Sequence, residues 1–234
     1  MARPRRSPPR PASAPALRGQ HDLGDPHVVR RLVADAGVTP SHHVLDLGAG
    51  HGAITAALRA RGARVTAVEL DRARLDPLRR RFADDPDVRV LAVDLRRLSL
   101  PRRPYRVVAN PPFDLSTPVL RRLLDRPDRA PDRADLVLQR AAARRMADPS
   151  GPVALGWAPW FELTVATVVP RRAFRPPPKA DAAVLVIERR PVPLLPPVQA
   201  ERWRRFVAAR QRRWAGAERT LRWWLRRDAS RTTA

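Results

Sequence analysis

The sequence has 234 residues and no cysteine, long enough to bury an ordinary core and devoid of disulfides, thiolate zinc sites, iron–sulfur clusters and cysteine nucleophiles. Its 46 basic residues against 23 acids give a formal charge of +23, and every basic residue but Lys179 is arginine, so the expected partner is a polyanion. No apolar run approaches the roughly 20 residues that span a bilayer and no apolar secretory centre is present, so a soluble, cytoplasmic protein without membrane contact is expected.

Residues 1–18 carry five arginines, five prolines and no acid, the composition of a disordered basic arm. A helix signal begins at Asp25, with Asp25 as N-cap, Pro26 in the first turn, Val28, Val29, Leu32 and Val33 on one face and Gly37 beyond the end. Strands are expected at 43–47, 64–69, 88–93, 105–109 and 135–138, each followed by a helical pattern, the rhythm of a parallel sheet wound on both faces. Two longer apolar runs, Glu162–Val169 and Ala182–Glu188, read as neighbouring late strands separated by a proline-rich stretch. Residues 191–198 read as a stiff linker, and the segment 199–234 as two short amphipathic helices bearing eleven arginines.

The first strand runs into Asp46-Leu47-Gly48-Ala49-Gly50-His51-Gly52, a D-x-G-x-G-x-G pattern ahead of a helix. Alternate glycines allow a sharp turn and close approach of a ligand to the backbone. This is not the spacing of dinucleotide enzymes, and the leading Asp46 disfavours a phosphate while favouring a ligand with positive charge, such as the ammonium and sulfonium of S-adenosylmethionine. Glu69, closing the second strand, is suited to accept from ribose hydroxyls, and Asp94, closing the third, from the adenine amine; Asp71 reads equally as a helix cap.

The fourth strand ends in Asn110-Pro111-Pro112-Phe113. The exocyclic amine of adenine is a poor nucleophile because its lone pair is delocalised. The Asn110 side-chain oxygen and the Pro111 carbonyl can each accept one amine hydrogen and turn that lone pair outward, while Phe113 stacks on the base. Positioning carries such a transfer and no metal is implied; His42 and His43 have no partner at ligand spacing, and His51 reads as a shape residue of the loop. The base must be unpaired or flipped out.

Together with Gln20-His21-Asp22-Leu23, Ser116-Thr117-Pro118 and Phe174-Arg175-Pro176-Pro177-Pro178-Lys179-Ala180-Asp181, these motifs occur in the order seen in rRNA adenine N6-methyltransferases, which the chain resembles over roughly residues 19–190. The resemblance is greater to the Erm branch, which methylates one adenine of 23S rRNA and confers macrolide–lincosamide–streptogramin B resistance, than to the KsgA/Dim1 branch acting on small-subunit rRNA. The stretch Trp157–Glu162 and the short segment after the linker carry that preference. The resemblance implies a class I S-adenosylmethionine-dependent fold, a seven-stranded mostly parallel sheet with its last strand antiparallel, plus a small helical C-terminal domain. It also implies that His21, Leu23, Gly48, Glu69, Asp94 and Asn110 contact the cofactor, with Asn110 also on the target amine and Phe113 on the base; Gln20, Asp46, Gly50 and Gly52 complete the expected cofactor site. Two departures stand out: the family usually has Q-N-F-L at 20–23 and N-[IL]-P-[YF] at 110–113.

The expected partner is 23S rRNA, gripped through the arm, the tail and arginine clusters at 79–81, 102–103, 144–145 and 171–172 by a monomer. Trp203, Trp214 and Trp224 read as packing residues and Trp223 as the one for exposure. Two other readings stay open: a small-subunit rRNA dimethyltransferase, and a non-catalytic RNA-binding factor on a methyltransferase scaffold.

Overall fold

The computed structural model describes residues 20–209 and 219–225. A two-residue strand, β1 (Asp22–Leu23), leads into α1 (Pro26–Asp35), where Asp25 accepts from the backbone N–H of His27 at 2.9 Å and Gly37 follows the end at φ 60°. There follow β2 (His43–Leu47), α2 (Ala53–Arg59), β3 (Arg64–Val68), α3 (Arg72–Arg81), β4 (Val88–Leu91), β5 (Arg106–Ala109), α4 (Ser116–Leu124), β6 (Arg133–Gln139), α5 (Arg140–Ala147) and α6 (Pro152–Trp157). The chain then forms β7 (Phe161–Val169), β8 (Phe174–Arg175), β9 (Ala182–Arg189) and α7 (Ala200–Ala208), and residues 219–225 are helical.

Seven strands form one sheet in the order β4-β3-β2-β5-β6-β9-β7, and β9 runs opposite to the other six. The unbroken apolar runs follow from burial on both faces. Leu45, Leu47, Val107, Leu136 and Leu138 enter one core, while the alternate residues Val44, Val108 and Val137 enter the other. Strands 64–69 and 88–93 are shorter than expected, ending at Val68 and Leu91, so Glu69 and Asp94 stand in the loops beyond them. Each of these carboxylates accepts from the backbone that follows it, Glu69 from Asp71 and Asp94 from Arg96.

The stretch 191–198 is not a free spacer. The Trp160 indole donates to the Leu195 carbonyl at 2.7 Å, and the Leu194 N–H to Pro159 at 2.8 Å. Beyond it, Trp203 is fully buried, donates to the Leu155 carbonyl at 2.8 Å and joins Trp224 in the core that holds β5 and β6. Trp223, read as the exposed indole, is half-buried and stacks on Phe206 with centroids 5.6 Å apart, because the apolar face of 219–225 closes over α7. The arm at 1–18 and Trp214 lie outside the described residues. No helix among the described residues is long and apolar enough to cross a membrane.

Candidate active site

The strand order reverses between β2 and β5, and in a wound sheet the crevice beyond the carboxyl ends at such a point is where ligands bind. The glycine loop leaves β2 on one side of it and Asn110 leaves β5 on the other. Gly48 sits at φ 76°, and a Cβ there would come within 3.0 Å of the Pro112 ring and 3.3 Å of Pro111 Cα, so only glycine lets the two loops touch. Gly52 begins α2 at φ 81°, where a Cβ would press to 2.7 Å on both Leu78 and Phe82. Between the loops lies a cavity of about 330 Å³ walled by Asp22, Leu23, Gly48, His51, Ile54 and Asn110.

Glu69 is buried beneath this loop. One carboxylate oxygen accepts from the Gly50 N–H at 2.8 Å, the other from the N–H groups of Leu70 and Asp71 at 2.8 and 2.9 Å. The glycine turn and the acid are thus tied into one rigid rim.

Asp46 lies in β2, within the strand expected at 43–47, but it is 0% exposed and not on the cavity wall; Oδ2 accepts from the Thr55 hydroxyl at 2.7 Å and Oδ1 has no partner among the described residues. Desolvation pushes its pKa up to about 7, opposed by the Thr55 hydrogen bonds and helped by the charge of Glu69. Asp94 also has a partner that sequence reasoning did not assign. Its oxygens accept from the backbone N–H of Arg96 at 2.9 Å and from its guanidinium at 2.6 to 3.1 Å, which holds the carboxyl below the usual carboxylate range.

Asn110 is oriented by a residue far away in sequence: its Nδ2 donates to the His21 carbonyl at 2.8 Å. That bond leaves Oδ1 as the acceptor on the other side, buried and without a partner among the described residues. The His21 ring lies 5.6 Å from Phe113, with Nδ1 at 2.9 Å from the Pro176 carbonyl, and Phe174 meets the Phe113 ring edge-on at 6.0 Å.

The unusual Asp22 also has a structural account. β1 pairs with β8, bringing Asp22 over Gly50, where Arg74 neutralises it at 3.0 Å and the His51 ring lies 3.3 Å away. His51 is therefore more than a shape residue. Gln20 lies half-buried at the start of the same segment. Sequence reasoning missed Thr55, Arg74 and Arg96. A hydroxyl nine residues after Asp46, where α2 folds back on β2, was the available signal for the first; the other two had none, since any arginine in so basic a chain looks alike.

A family described as ribosomal RNA adenine dimethylase matches residues 17–216. The mycinamicin-resistance protein MyrB of Micromonospora griseorubida is 43% identical over 188 residues, covering 77% of this chain and 59% of MyrB. Ribosomal RNA small subunit methyltransferase A of Synechococcus strain RCC307 is 39% identical over 195 residues, covering 76% of this chain and 70% of that protein. The crystal structure of the 23S rRNA methyltransferase ErmE superposes with a TM-score of 0.71 at 28% identity, over 80% of this chain and 77% of that one. The chain spans less than two thirds of the length of the first curated relatives it matches. With its sheet order, its glycine rim and its Asn-Pro-Pro-Phe loop in place, the chain belongs to the ribosomal RNA adenine dimethylase family.

Proposed function

We propose that this protein transfers a methyl group from S-adenosylmethionine to the exocyclic N6 of one adenine in 23S rRNA, giving macrolide–lincosamide–streptogramin B resistance. The observation that carries the reading is the orientation of Asn110, whose amide is turned by the His21 carbonyl so that a buried oxygen, without a partner among the described residues, is offered at the crevice. An amine hydrogen is what such an oxygen accepts, and the Pro111 carbonyl is the candidate for the second. The prolines at 111 and 112 carry no N–H to compete for it.

The residues present fit the cofactor. Glu69 would accept from the ribose hydroxyls, Asp94 from the adenine amine, the backbone at Gly48, Gly50 and Gly52 would lie against it, and Gln20, His21 and Leu23 would cover it. Asp46, protonated or not, would act from behind the loop. When bound, S-adenosylmethionine supplies an electrophilic methyl group on a sulfonium. Asn110 and Pro111 would hold the amine with its lone pair turned outward, and Phe113 would stack on a base that has left its helix. Positioning and electrostatics of this kind leave no group that must take a proton before attack. The 23S target is favoured by ErmE, named as a 23S rRNA methyltransferase, and the resistance by MyrB, named for resistance to mycinamicin; similar proteins also include small-subunit rRNA methyltransferases. A cytoplasmic monomer acting on naked or pre-ribosomal RNA completes the reading.

The test is methyl transfer from labelled cofactor to naked 23S and naked 16S rRNA. Label in 23S alone is expected, and label in 16S alone would overturn the assignment. Asn110→Ala is expected to lower transfer by about 100-fold or more, the scale of losing one transition-state hydrogen-bond group, with RNA affinity near that of the parent chain. Absence of cofactor binding in the parent would favour an RNA-binding factor without catalysis.

A further inference from the structure

A groove of about 700 Å³ begins at Thr117 and Pro118, a few residues beyond Phe113. Among the described residues six arginines wall it, including Arg96, Arg102, Arg121 and Arg126, against one lining acid, Asp125, while Arg126 and Arg129 also pair with Asp128, which is not on the wall. Asp125 is already matched, by the Trp157 indole at 3.0 Å and by Arg204 at 3.6 Å. A groove so rich in arginine, open to solvent and walled by the helix that follows the catalytic loop, has the chemistry of a phosphodiester backbone site.

Arg96 belongs to two places at once. It is part of the groove wall, and its backbone N–H, its Nε–H, shared between both oxygens, and one terminal guanidinium N–H all donate to Asp94. An ionised carboxylate has about four acceptor directions, so most of the acceptor capacity of Asp94 is taken while Arg96 stays, and both of its oxygens are engaged by the guanidinium. The Arg96 side chain is 61% exposed against 20% for Asp94, so the guanidinium is the partner that can leave into solvent while the carboxylate stays in place.

We propose that Arg96 couples the groove to the cofactor site: an RNA phosphate in the groove draws its guanidinium off Asp94, and the freed carboxylate accepts from the cofactor's adenine amine. The proposal rests on the reading of Asp94 as the adenine acceptor. Cofactor then binds more tightly to the RNA-loaded protein than to the free one, and RNA more tightly to the cofactor-loaded protein by the same factor.

The experiment is calorimetric titration of S-adenosylhomocysteine, which has no methyl group to transfer, into the full chain with and without a saturating RNA stem-loop bearing one unpaired adenine. RNA is expected to tighten binding about 5- to 10-fold in the parent chain. Arg96→Ala is expected to bind at the tight value without RNA and to gain nothing from it. Equal affinity with and without RNA in the parent, or a full gain retained in Arg96→Ala, overturns the coupling. Asp94→Ala should weaken binding in both conditions; an unchanged affinity there overturns the adenine-acceptor reading itself, a different result from the first. Arg121→Ala with Arg126→Ala should weaken binding of the stem-loop at least tenfold while leaving RNA-free binding of S-adenosylhomocysteine unchanged, and undiminished RNA affinity would remove the groove from the proposal.

Discussion

A carboxylate in a glycine-rich loop and a carboxylate in the middle of a buried strand are different chemical objects, and Asp46 is the second. Its protonated form is favoured up to about pH 7 because burial removes the water that would stabilise the charge. The unfolded chain releases this proton near the ordinary value of about 4. The sign follows: the folded state holds the extra proton between the two values, so the contribution of this group to stability is complete below about pH 4, shrinks as pH rises and is gone once pH passes about 7. Asp46→Asn cannot titrate. The stability of the parent relative to that variant, from urea midpoints, is expected to decline between pH 4 and 7 and then level; a flat difference would overturn the assignment. Asp46, Glu69 and Asp94 were all legible as acids at strand ends. That one is a buried support and another is engaged by Arg96 was not, because burial and pairing depend on what folds over them.

At the scale of elements, apolar runs and glycine punctuation placed the seven strands of the main sheet, since those signals act within a few residues. The two-residue strands β1 and β8, which exist only by pairing with each other, and α6 were not placed, and the remaining differences lie at the ends of elements. β4 stops at Leu91, where the chain turns into a short 3-10 segment capped by Asp94, a tertiary decision about where the ladder runs out. The last helices carry a sharper lesson. Their amphipathic pattern was visible, but not that their apolar face completes the core of the sheet, with Trp203 at 0% exposure and Trp224 edge-on to it at 5.6 Å. Trp203→Ala is therefore expected to cost about 3 to 5 kcal/mol, the range for removing a buried aromatic, in a single cooperative urea transition. A loss under about 1 kcal/mol, with an unchanged main transition, would make the tail an independent body.

For the whole molecule the charge of +23 decides how a polyanion is met. Among the described residues the crevice cavity is lined by one arginine, Arg175, while six arginines wall the groove that begins at Thr117. Binding through that groove should be dominated by phosphate contacts and counterion release. Six such contacts predict a loss of about 1000-fold in RNA affinity between 50 and 200 mM salt, readable by fluorescence anisotropy. A change under about tenfold would mean that the groove arginines are not phosphate contacts.

The sequence by itself determined the α/β class, the glycine rim, the acids that face or support it and the Asn-Pro-Pro-Phe loop, because each is a local pattern whose backbone and chemistry are set by neighbouring residues. Only the tertiary structure decided which groups meet. Asn110 is aimed by a carbonyl 89 positions away, Asp22 is neutralised by Arg74 across the crevice, and the groove gathers arginines from separate turns and a helix. Such pairings come from strand order and helix packing, and no short stretch of sequence contains that information.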